Sequence, residues 1–79
     1  MIPLQNKGLE EMAVLFFLAE ENTAKAFKAH LDSVGSPVTI QGIYKALNKL
    51  TNEDVLVKNK KKFVVSREWV EGLIEKLGG

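Results

Sequence analysis

Few side chains in this 79-residue chain can do chemistry, and those that can carry charge or hydrogen bonds rather than nucleophiles. There is no cysteine, which excludes thiolate catalysis, disulfides and thiolate metal sites. His30 is the only histidine, and near the end of a helical segment it reads as an exposed or capping residue. No glycine-rich phosphate loop occurs. The carboxylate doublets Glu10-Glu11 and Glu20-Glu21 fall at expected helix ends, not at the spacing of an acid–base pair. Nothing here supports an enzyme, a cofactor, a metal centre or a small-molecule site. The chemistry that remains is recognition. Gln41 and Asn48 carry amides that donate and accept side by side, as the edge of adenine requires, and Lys45 can donate to guanine O6 and N7. Lys58, Lys60, Lys61 and Lys62 crowd one short turn, where they suit phosphates or, as a bland alternative, deter pairing of a strand edge.

The charge is distributed in the same sense. Net charge is only +1, yet residues 22–67 hold nine basic and three acidic side chains, a net of +6. Residues 1–21 carry −3 and residues 68–79 carry −2. A basic middle between acidic ends is the pattern of a domain with one anion-facing side, the bland alternative being an accident of surface charge. Apolar residues make up 46% and charged residues 27%, ordinary proportions for a folded domain, and the length fits one domain spanning 1–79. The longest strongly apolar run, Met12–Ala19, is too short to cross a bilayer, and the first residues lack a secretory signal. A cytoplasmic protein without a membrane partner is expected.

These groups must be held by secondary structure, and periodicity supplies it. Pro3 keeps the first residues out of a helix interior. Leu9, Met12, Ala13, Phe16 and Phe17 follow helical spacing, predicting a helix over about 7–21 with Glu10 and Glu11 in its first turn. Asn22 or Thr23 can cap a second helix, about 24–34, with Ala24, Phe27 and Leu31 inward. Gly35 and Pro37 end it. Thr39 caps a third, about 40–53, whose core stripe is Ile43, Ala46, Leu47 and Leu50. The period then changes: Val55–Lys58 and Lys62–Val65 flank Asn59-Lys60-Lys61, a hairpin over about 55–65 with Asn at its tip. Ser66 caps a last helix, about 67–77, with Trp69, Val70, Leu73, Ile74 and Leu77 on one side.

The segment Val38–Leu50 resembles the recognition helix of PadR-, TrmB- and MarR-like transcriptional regulators. A capping Thr39 leads into the Tyr44-Lys45-Ala46-Leu47-Asn48-Lys49-Leu50 run, then Glu53-Asp54 and the basic hairpin. The likeness covers Leu9–Val65 in element order and Val38–Leu56 residue by residue. Two features depart from it: Asp54 stands where glycine usually precedes the first wing strand, and the helix lacks arginine. The resemblance implies an α+β winged helix-turn-helix, with a three-helical core, a wing and a C-terminal helix, that binds double-stranded DNA. It acts either as a whole regulator or as the reading module of a longer one. Base-reading candidates are Gln41, Gly42, Lys45 and Asn48. Phosphate candidates are Thr39, Tyr44, Lys49, Lys58, Lys60, Lys61 and Lys62. Surplus apolar residues on the first and last helices (Leu15, Phe16, Leu18, Trp69, Leu73 and Leu77) point to a homodimer, the competing account being a central first helix covered on two sides by the other helices and the hairpin. A winged helix that binds another protein and no DNA is the alternative, since fold does not dictate function.

Overall fold

Apolar side chains three and four residues apart bring three helices onto one core in the computed structural model, which describes residues 6–78. Helix α1 (Asn6–Ala19) buries Leu9, Ala13 and Phe17. Helix α2 (Ala24–Ser33) buries Ala24, Phe27 and Leu31, and α3 (Ile40–Asn52) buries Ile43, Ala46, Leu47 and Leu50. The stripes expected for α2 and α3 are therefore the ones found. Phe17, Phe27 and Phe63 are fully buried, and the Phe17 ring lies 5.5 Å from Phe27 and 5.8 Å from Phe63. Each ring removed from water contributes about 1.5–3 kcal/mol, so this trio anchors helices and sheet together.

The helix ends follow local chemistry. Thr23 Oγ1 accepts from the Ala26 amide and Thr39 Oγ1 from the Gly42 amide, both at 3.1 Å, while Ser66 Oγ accepts from Trp69 at 3.3 Å. Beyond α2, the Ser36 amide donates to Leu31 and the Gly35 amide to Asp32, with Gly35 at φ +75°. Beyond α3 the same double closure runs from Val55 to Leu50 and from Asp54 to Thr51. Here Asp54 holds the left-handed position at φ 61°, so the turn that usually takes glycine is made with aspartate.

Strand β1 (Asn22–Thr23) is the element that periodicity misses. It pairs antiparallel with β3 (Lys62–Val65), Asn22 opposite Phe63 and Thr23 opposite Lys62. Strand β2 (Leu56–Asn59) flanks β3 on its other side, giving the order β1-β3-β2. The hairpin thus becomes a three-stranded sheet. Helix α1 ends at Ala19 rather than at Glu21, because the chain must turn and straighten to reach β3. It also starts at Asn6, which leaves its first turn without an acidic residue and moves Glu10 and Glu11 further in. The turn of the hairpin is Lys60-Lys61, with Lys60 at φ 58°. Asn59 is a strand residue paired with Lys62 and not the tip. Pro3 lies outside the described residues.

Helix α4 (Arg67–Gly78) has no buried residue. Trp69 and Val70 pack on the core from its first turns, while Leu73, Ile74 and Leu77 are 41, 62 and 82% exposed. Its apolar stripe extends past what the other described residues cover.

Candidate nucleic-acid interface

Burying Ile43, Ala46, Leu47 and Leu50 fixes the rotation of α3, and at 100° per residue everything else follows. Gln41, Lys45 and Asn48 take the outermost stripe and are exposed. Asn52, one turn beyond Asn48, continues that stripe and is also exposed. Asn52 has the spacing of this stripe but is the last residue of α3, where periodicity carries least weight. Gly42 is turned toward its own cap: a Cβ there would stand 3.2 Å from Thr39 Oγ1 and from Val38 Cγ1. Packing at the helix start is thus a sufficient reason for glycine at this position.

Two phosphate candidates sit on opposite flanks of the helix. Lys49 is turned toward α1, its Nζ 3.2 Å from each carboxylate oxygen of Glu10. Tyr44 is turned the other way, toward the wing, and is 43% exposed. There it shares a cleft with Lys58, Lys61 and Phe63. Lys58 faces Phe63 across the hairpin register, its Nζ 5.7 Å from the ring centroid. Lys58, Lys60, Lys61 and Lys62 are all exposed.

Among the described residues, the ion pairs are Lys49–Glu10 and Lys28–Asp32, the latter at 3.4 Å. Lys45 and the wing lysines therefore present charge that no described carboxylate balances within 4.0 Å. Of the dimer candidates, Leu15 and Leu18 are 69 and 52% exposed, Leu73 and Leu77 are exposed, and Phe16 and Trp69 are half-buried against the core. The Phe16 ring is edge-on to Phe17 and is tilted against His30, whose centroid is 5.3 Å away. His30 is exposed and its carbonyl accepts from Val34 at the end of α2. None of the described helices is long and apolar enough to cross a membrane.

Three helices, a strand strap, a two-stranded wing and a closing helix define a winged helix-turn-helix. The crystal structure of Bacillus subtilis PadR has the same fold: it matches with a TM-score of 0.71 over 98% of this chain, at 17% identity. This chain covers 45% of that one. No family model matches the sequence, and no curated protein does. The α+β winged-helix architecture read from the residues is the architecture of the protein.

Proposed function

We propose that this chain binds double-stranded DNA and serves in the cytoplasm as a transcriptional regulator or its reading module, without catalysing a reaction. Helix α3 enters the major groove, where Gln41, Lys45 and Asn48 read base edges. The wing lysines Lys58, Lys60, Lys61 and Lys62 meet backbone phosphates, as do Thr39 from the helix start and Tyr44 from its wing-side flank. Lys49 joins them only by exchanging Glu10 for a phosphate. The observation that carries this reading is the shared cleft between α3 and the wing, where Tyr44 stands beside lysines with no described carboxylate within 4.0 Å. A recognition helix and a phosphate clamp are useful only when they face one duplex together.

Titration of a duplex of mixed sequence against salt tests the proposal. If one domain neutralises about five phosphates, log K against log salt should slope near −4 to −5. No binding at low salt, or a flat slope, removes it. Replacing Lys45 or Asn48 by Ala should lower discrimination between preferred and random duplex by about 1–3 kcal/mol per lost base contact. Unchanged discrimination in both variants would move base reading to another face.

A further inference from the structure

We infer that Lys25 on α2 is a phosphate-binding residue, completing with Tyr44, Lys58 and Lys61 a cleft for one phosphodiester of a DNA backbone. The inference rests on the DNA-binding reading above and adds to it an element that sequence reasoning left out of the site.

The cleft has a volume of about 260 Å³, and its lining includes Thr23, Lys25, Tyr44, Lys58, Lys61 and Phe63. Three elements far apart in sequence meet there, and strand β1 is what brings them together. Thr23 pairs with Lys62 on β3, so the first turn of α2 is held against the wing and Lys25 opens onto the same space as Lys58 and Lys61. The pairing also explains why the sequence hides the site: Lys25 reads as one more solvated residue on the outer side of a short helix.

Electrostatics says what the cleft takes. Lys25, Lys58 and Lys61 have no carboxylate within 4.0 Å among the described residues. Lys28, one turn further along α2, is matched by Asp32. Like charges gathered in a concave surface repel one another and focus a positive potential, which an anion relieves. Every polar tip at the rim can donate: three ammonium groups, the phenol of Tyr44, and the hydroxyl of Thr23, whose oxygen also accepts from the Ala26 amide. An anion that only accepts, through several oxygens set at different angles, satisfies such a rim, and a phosphodiester is that anion. The cleft lies between α3 and the wing, along the path of the strand that borders a groove filled by α3. The phosphodiester is therefore one of the duplex's own.

Lys25→Ala and Lys28→Ala each remove one charge from the same helix, and only the first opens the cleft. With a duplex of mixed sequence, Lys25→Ala should weaken binding about tenfold near 0.1 M salt and flatten the salt slope by about 0.9. Lys28→Ala should leave both within error of the starting protein. Tyr44→Phe should weaken binding without changing the slope, because the lost donor is neutral. Thermal melts confirm that each variant remains folded. Equal effects from the two lysine variants, or no effect from Lys25→Ala while the unmodified protein binds, overturn the cleft and leave the DNA reading standing. No binding by the unmodified protein overturns both. Inorganic phosphate, followed by amide shifts at residues 23–26 and 58–63, separates the sources of the anion. Saturation at concentrations too low to displace duplex would assign the cleft to a free phosphorylated ligand and overturn the backbone assignment.

Discussion

At the scale of single residues, the helix starts were readable because a cap is a local device: Thr39 and Ser66 cap the helices that follow them, and Thr23 does so for α2. Asp54 was readable for the same reason, since aspartate tolerates the left-handed turn that the reversal after α3 needs. The tip of the wing was not. Asn59 has the side chain of a turn residue, but the strand register carries it one step too early and hands the positive φ to Lys60. A long side chain has no intrinsic preference for that conformation. Lys60→Gly should accordingly raise stability by about 0.5–1 kcal/mol, the left-handed strain relieved less the entropy that glycine loses. The same variant should bind duplex more weakly. A urea melt and a binding titration on one sample check both signs, and a loss of stability would show that Lys60 is not strained.

At the scale of elements, periodicity placed α2, α3 and the two wing strands because each repeats its pattern over enough residues to be counted. A two-residue strand has no pattern to repeat. Asn22 and Thr23 become a strand only because β3 offers an open edge beside them, which is a tertiary cause. The division of roles proposed for α3 and the wing follows from this geometry. In the proposed complex base edges are reached from the outer stripe of α3, and the wing lysines surround a turn with no described carboxylate within 4.0 Å. Replacing both Lys60 and Lys61 by Ala should thus weaken binding to every sequence alike and flatten the salt slope by up to about two units. Losses confined to a preferred site would place these lysines on bases instead.

At the scale of the whole molecule, the apolar surface left over is the informative quantity. A helix of twelve residues without one buried side chain is marginal by itself, and α4 keeps Leu73, Ile74 and Leu77 in water while α1 does the same with Leu15 and Leu18. A second copy would cover these surfaces through a two-fold contact. The described part of the chain measures 39 × 29 × 20 Å, so two copies side by side can set their α3 helices about 34 Å apart, one turn of duplex. Sedimentation equilibrium should give twice the 8.8 kDa chain mass at tens of micromolar. Truncating Leu73 and Leu77 to Ala should return the mass to that of one chain. A single-chain mass for the unmodified protein ends the dimer. The excess of apolar residues on α1 and α4 could be counted in the sequence. Which of them stay uncovered could not, because that depends on how far α4 runs past the core.

The strap formed by β1 also sets an order of events. Asn22 meets Phe63 only after the chain that contains α2 and α3 has been drawn into a closed loop, and closing a long loop costs more chain entropy than closing the hairpin. The local helices and the β2–β3 turn are therefore expected to form first, with the strap as the late step that locks the wing to them. Weakening it by substitution at Asn22 should speed unfolding and leave the folding rate unchanged. Unfolding would then begin at the wing, the part of the molecule proposed to grip DNA, and a bound duplex would slow it by holding that edge shut.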